Sequence, residues 1–370
     1  MANQTFKCKN CGGELVWNPS AQKLKCSYCG SEYDLSEFEK QDQQLKEELD
    51  RDTYEKGENA AETGQTSATD DTKINPEDLR IYKCSTCGAE VVTDKTTMAS
   101  VCAFCGSPIT LAEQMDTDFR PKWIIPFKVS PDQVKAQYRT LIKGMPFAPK
   151  QFKDKNQIEK IKGVYIPFWL YSFREGGRMT AMAERLTIQE TREYTVTTHH
   201  VFQIEREAEA DFRALPVDAS SRTPDDIMDS IEPFNYQDMV PFKLPYLAGF
   251  LAERYDQDQR TCFPRAGKRA ENTMEESLRA SITGYNTVNV TGLSTGTEGD
   301  YKSEYALIPV YLLFTKYQGK NYLYAVNGET GKAVGDVPIA KGKVGLFAAA
   351  TFAVSFAAAL LIDIVLKLFL

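Results

Sequence analysis

Apolar residues fall into two periods along the chain. Trp123 to Val129, Val164 to Tyr171 and Ala306 to Phe314 are short, strand-like apolar runs with prolines at their edges. The last two share a Y/L-I-P-F/V-W/Y-L motif that suggests a weak internal duplication. Arg178 to Leu186 and Arg192 to Glu205 instead interleave β-branched or apolar residues with charged ones, as antiparallel strands with one wet face do. Tyr322 to Lys332 runs into an Asn-Gly turn, and Ala333 to Val337 can return as its hairpin partner. Ser130 to Gly144 predicts a helix with a Ser cap, Pro at its first position and Gly at its end, and Ala270 to Thr283 predicts a second. These elements predict an α+β domain with antiparallel strands over residues 119–340.

A third pattern closes the chain. Val344 to Ile362 is 19 residues without a charge. As a helix it would extend ~28 Å, close to the ~30 Å hydrocarbon core of a bilayer. It predicts a transmembrane helix over 344–366, with Lys367 reaching the far interface and pairing with Asp363 at i,i+4. Lys332, Lys341 and Lys343 precede the span and only Lys367 follows it, which keeps the N-terminal bulk in the cytoplasm. The N-terminus, MANQTFKCKNC, has no apolar stretch of the secretory kind. The expected location is the cell membrane, single-pass. Gly345, Ala349, Ala353 and Ala357 form a column of small residues along which the span could pair with itself or with a partner subunit's helix.

Composition agrees with a folded protein, since 42% of the 370 residues are hydrophobic and 11% aromatic. The net charge of −7 is concentrated between residues 36 and 80, where 14 acidic side chains face 6 basic ones. Residues 57–72 contain no large apolar side chain. Together 36–80 reads as an acidic linker, with a short solvated helix at its start. No global basic field draws the chain to nucleic acid.

Cysteine spacing is the sharpest chemical signal. Eight of nine cysteines form two C-x2-C-x14-C-x2-C sets, Cys8/Cys11 with Cys26/Cys29 and Cys84/Cys87 with Cys102/Cys105. The two stretches align without gaps, 76 residues apart, so the unit is repeated. Every CxxC is followed by glycine (Gly12, Gly30, Gly88, Gly106), which permits the positive-φ turn that brings backbone N–H groups toward sulfur. The pattern predicts two zinc ribbons, at 1–35 and 81–115, each a closed site of four thiolates holding a structural Zn2+. A reducing compartment argues against disulfides, and a thioredoxin-like redox pair needs one CxxC opening a helix. A rubredoxin-like iron site would be expected to carry a proline in its second knuckle, and CSYC and CAFC have none. Cys262, left over, reads as a small hydrophobe.

Paired CxxCG knuckles, then IIPFKVS, KGVYIPFWLY, YLAGFLAERYD and YAVNGETGKAVGDVP, then a terminal span, resemble the membrane-anchored TFIIB-type zinc-ribbon proteins of Gram-positive bacteria. The resemblance covers nearly the whole chain, and its specificity lies in the order of the elements. Some relatives are encoded beside PspA-like and SPFH-domain proteins, so the resemblance implies an envelope-associated adaptor that recruits such a partner.

Catalytic motifs are scarce. His199 and His200 are the two histidines, and as neighbours on a strand they cannot serve one site. Gly328-Glu-Thr-Gly-Lys332 lacks the loop length and the Ser/Thr of a phosphate-binding P-loop. The function expected is therefore a non-enzymatic adaptor, with the ribbons as partner-binding heads on a flexible tether. The competing reading is nucleic-acid binding through Lys7, Lys9, Lys23 and Lys25 around the first metal site; against it, a four-thiolate zinc site carries about −2 charge that these lysines would offset.

Overall fold

The computed structural model describes residues 6–38, 40, 43, 79–83, 90–94, 97–101, 108–110 and 120–369. It is a mixed α/β protein built around three very long strands. β9 (Lys162–Glu190) lies between β10 (Thr195–Asp218) and β13 (Thr287–Tyr317), antiparallel to both. At ~3.3 Å per residue, the 29 residues of β9 extend roughly 95 Å. Both neighbours bulge at one level of β9, at Phe212/Leu215 and Glu298/Lys302, opposite Tyr171 to Arg174. This level divides the sheet.

On the near side, Val164 to Tyr171 is buried throughout because both faces are covered. Val164, Ile166 and Phe168 pack with Met228, Ile231 and Phe234, which come from and follow α3 (Asp225–Ser230). Tyr165, Trp169 and Tyr171 face the opposite core. The two proline-punctuated motifs are direct partners, with Ile166 opposite Ile308 and Tyr165 opposite Pro309. On the far side burial alternates: Phe173, Glu175, Gly177, Met179, Ala181 and Ala183 point toward α4 (Gln259–Ala280), and the other face is open. Gly177 is required where Met274 crosses, because a Cβ there would stand 2.5 Å from Met274 Cγ.

Several predicted elements appear as read. Pro131–Lys143 is a helix, α1, with a capping box between Ser130 and Gln133. The Asn-Gly hairpin joins β14 (Lys320–Asn327) to β15 (Ala333–Gly335). Others differ. The strands expected at Arg178 and Arg192 are parts of β9 and β10, far longer than their alternating segments, and Trp123 to Val129 is a strand, β8, only at Trp123–Ile124. The second helix starts 11 residues earlier than expected, where the Asp258 side chain accepts from the Thr261 backbone N–H at 2.7 Å, and it runs through Pro264. In the segment read as a linker, Leu35–Phe38 is a 3-10 turn whose Phe38 is buried against Phe6 and Tyr33; residues 57–72 lie outside the described residues.

The largest correction concerns the cysteine units. The first comprises β1 (Leu15–Asn18), β2 (Lys23–Cys26) and β3 (Glu32–Tyr33). It is not a free head. Trp17 is 4% exposed, packs edge-on against Tyr246, and donates through Nε1 to the Phe127 carbonyl at 3.3 Å. Its backbone N–H donates to Ala248 O at 2.9 Å, and Gln22 Nε2 donates to Phe127 O at 2.8 Å. Gly249, at φ +88°, lies where a Cβ would meet Val16 at 3.1 Å. Around the second cysteine set, the strands are β4 (Leu79–Lys83), β5 (Glu90–Asp94), β6 (Thr97–Val101) and β7 (Pro108–Thr110). β6 pairs with β12 (Leu251–Glu253), which in turn pairs parallel with β9. The segment from Tyr246 to Glu253 thus joins both units to the central sheet. Replacing Trp17 with alanine should destabilise the first unit by about 3–5 kcal/mol, as for other buried aromatics. Denaturant unfolding of the detergent-solubilised chain, compared with wild type, measures this.

Candidate metal centre

Two short turns and a hairpin bring four sulfurs together. Cys8 and Cys11 flank one turn, closed by Gly12 N–H donating to Cys8 O at 2.9 Å; Cys26 and Cys29 flank the other, closed by Gly30 N–H donating to Cys26 O at 3.1 Å. Gly12 and Gly30 sit at φ +70° and +74°, where glycine carries no Cβ penalty. The β1–β2 pairing, Leu15 opposite Cys26, sets the turns face to face. Gly13 allows the closest approach, since a Cβ there would stand 3.2 Å from Cys26 Sγ and 3.3 Å from Cys11 Sγ.

All four Sγ atoms lie within 4.8 Å of one another, and this is the one such ligand group among the described residues. Cys8–Cys29 and Cys11–Cys26 are each 3.5 Å apart. That is too long for a disulfide of ~2.05 Å. Four sulfurs about 2.3 Å from one tetrahedral ion stand roughly 3.8 Å apart, so the spacing fits a metal ion. Burial is graded. Cys8 and Cys26 are buried among Phe6, Leu15, Leu24 and Tyr33, while Cys11 and Cys29 are exposed.

Electrostatics within the group favour a cation. The Tyr33 hydroxyl, 3.2 Å from Cys8 Sγ, lowers that thiol to about 6, and the Ser31 hydroxyl lowers Cys29. Cys11 is different: although the Gly13 backbone N–H favours its thiolate, the sulfurs of Cys29 and Cys26 push it up to about 12. Four thiolates this close cannot all ionise until a metal charge offsets their repulsion.

Three of the four lysines around the site, all but Lys7, are matched by acids. Lys9 pairs with Glu37 at 2.8 Å, Lys23 with Asp34 at 3.2 Å and Lys25 with Glu32 at 3.5 Å. Tyr28, between Cys26 and Cys29, is 75% exposed and lies over Gly13. This exposed aromatic at the tip was not singled out from the sequence, where nothing separates it from the buried tyrosines. Cys84, Cys87, Cys102 and Cys105 lie outside the described residues. The strands beside them recur at the repeat offset, β5 and β7 matching β1 and β3. Cys262 is a buried side chain of α4, with Sγ 3.7 Å from Asp218 O. His199 and His200 are both exposed, and His199 contacts Glu184.

The chain is 29% identical over 340 residues to an uncharacterized protein, YdjG, of Bacillus subtilis (strain 168), an alignment covering 92% of each chain. No family model matches the chain, and no solved structure matches it. Substituting Cys26 with serine should remove one equivalent of bound metal, read by elemental analysis of the purified chain. Acidification should release metal as the thiolates protonate, since protons compete for the same sulfurs. Retention of metal by the variant would rule out this ligand set.

Proposed function

We propose that the protein is a non-enzymatic, membrane-anchored adaptor, in which two zinc ribbons docked on a long-stranded α/β domain present a binding surface to a protein partner. The observation that carries the membrane reading is α5 (Lys341–Phe369), whose residues Lys341–Ile362 are long and apolar enough to cross a bilayer. From Val344 to Ile362 every side chain is exposed, including Leu346, Phe352 and Phe356, a surface suited to lipid rather than water. The lysine bias before the span favours the cytoplasm for the domain and the cell membrane for the anchor.

Zinc suits the first site because four thiolates select a tetrahedral, borderline-soft ion, and the gap-free repeat extends the same assignment to Cys84, Cys87, Cys102 and Cys105. Such a site leaves no coordination position for substrate, which favours a structural role. Tyr28 then stands as an exposed aromatic at the tip, the kind of side chain that anchors protein interfaces. Pairing of Lys9, Lys23 and Lys25 with acids weakens the nucleic-acid alternative, because little unpaired positive charge remains for phosphate.

The partner class implied by the family resemblance is a PspA-like or SPFH-domain protein, acting in envelope stress or membrane maintenance. Affinity purification from detergent-solubilised membranes tests it. Wild type should co-purify such a protein, and Tyr28→Ala should lose most of it while keeping two zinc ions per chain. Roughly nanomolar, sequence-selective nucleic-acid binding at about 150 mM salt would instead favour the alternative.

A further inference from the structure

The geometry points to a second membrane contact: a lysine-rich face of the α/β domain, beside the start of α5, that rests on an anionic bilayer surface. This rests on reading α5 as a membrane span. The helix is joined to the domain without slack. Ala340 N–H donates to Phe147 O at 2.9 Å, Lys343 Nζ donates to Ala148 O at 2.6 Å, and Phe347 packs edge-on against Phe147 at 5.4 Å. The segment that receives the helix is fixed in turn to the end of β13. Gln151 Nε2 donates to Lys316 O at 2.6 Å, and Gln157 Nε2 donates to Phe314 O at 2.9 Å. Phe152 packs against Tyr317 and Tyr322 at the β13–β14 turn. Residues 147–157, the β13–β14 turn and the helix start therefore form one connected surface.

That surface is predominantly basic. Lys150, Lys153, Lys155 and Lys160 are exposed along the segment, with Lys316 and Lys320 on the turn. None of these six makes an ion pair among the described residues. The acids nearby are already engaged: Glu159 pairs with Lys135 and Arg139, and Asp154 caps α2 (Lys155–Ile158) by accepting from Asn156 N–H at 3.0 Å. Phe314 and Ile339 are 54% and 64% exposed in the same neighbourhood. A hollow of about 440 Å³ opens between Lys160 and Phe314, with an apolar floor that includes Val164, Ile166 and Leu312. Unpaired lysines around exposed apolar side chains match the headgroup region of a bilayer, where anionic phosphate lies above the first acyl carbons. Docked this way, the domain lies against the leaflet instead of standing off it.

Amine-reactive acylation of the full chain, reconstituted in nanodiscs and read by mass spectrometry, tests the contact. In discs containing phosphatidylglycerol, labelling of Lys150, Lys153, Lys155, Lys160, Lys316 and Lys320 should be severalfold slower than in pure phosphatidylcholine discs. Lys268, on α4, should label equally in both. Raising the salt to about 0.5 M should abolish the difference, since screening then acts within a few ångströms. Replacing Lys153 and Lys316 with glutamate, both exposed positions, should reduce the protection of the remaining lysines. Equal labelling in the two disc types by a chain that co-migrates with them overturns this contact alone. A chain that fails to co-migrate overturns the span and the contact together.

Discussion

Phe127 is the constraint on which the rest of the structure depends. Its ring is fully buried, stacked on Phe250 at 4.1 Å and met edge-on by Tyr165 and Tyr311 at 4.9 and 4.8 Å. Two glycines make the room: a Cβ at Gly328 would stand 2.5 Å from the ring, and one at Gly163 would stand 3.1 Å from it. Its carbonyl accepts from both Trp17 and Gln22 of the first cysteine unit. Lys128 and Val129 N–H groups donate to Gly328 O, tying the same segment to the turn between β14 and β15. The motifs IIPFKVS, KGVYIPFWLY, YLAGFLAERYD and YAVNGETG each contribute a residue to this contact, so motifs scattered over two hundred residues of sequence are one packing site.

The metal centre inherits its position from that packing. Cys8 and Cys26 belong to the same buried cluster as Trp17, and through Trp17 they connect to Tyr246, Phe250 and Phe127. A metal ion at the four sulfurs would hold β1 and β2 together, and β1 presents Trp17 to the sheet. At the opposite end of the chain, Phe147 and Ala148 hold the start of α5 just after α1. The four-cysteine unit, the sheet and the apolar terminal helix are thus mechanically continuous. For the proposed adaptor, this would keep a binding surface at a set distance from the membrane, in place of heads on a loose tether.

How much of this was legible follows from the range of the interactions. The four-cysteine group is written in local spacing, and so are the capped helix after Ser130, the Asn-Gly hairpin and the apolar terminal helix. Cys262 was also legible as an ordinary small buried side chain. Docking of the first unit was not, because Trp17 finds its acceptors 110 and 231 residues away, and WNPS in isolation looks like a strand end. The length of β9 was hidden by its far half, where charged residues such as Arg174 and Arg178 occupy the open face and blur into loop-like sequence. There β9 is stabilised by neighbours on both edges and by α4 on one face, none of which is local. Pro264 and Gly267 disguised the first half of α4, which packs through Cys262, Ala266 and Ala270 against the sheet.

The claim that the metal centre is a structural part of the sheet domain is tested most directly by amide hydrogen exchange of the full chain before and after chelation. Loss of metal should speed exchange at Leu15–Cys26 and also at Tyr246–Phe250, which contributes no ligand, while the far half of β9 stays protected. Acceleration confined to the cysteine unit, with Tyr246–Phe250 unchanged, would show that the unit stands apart from the domain and would contradict the account.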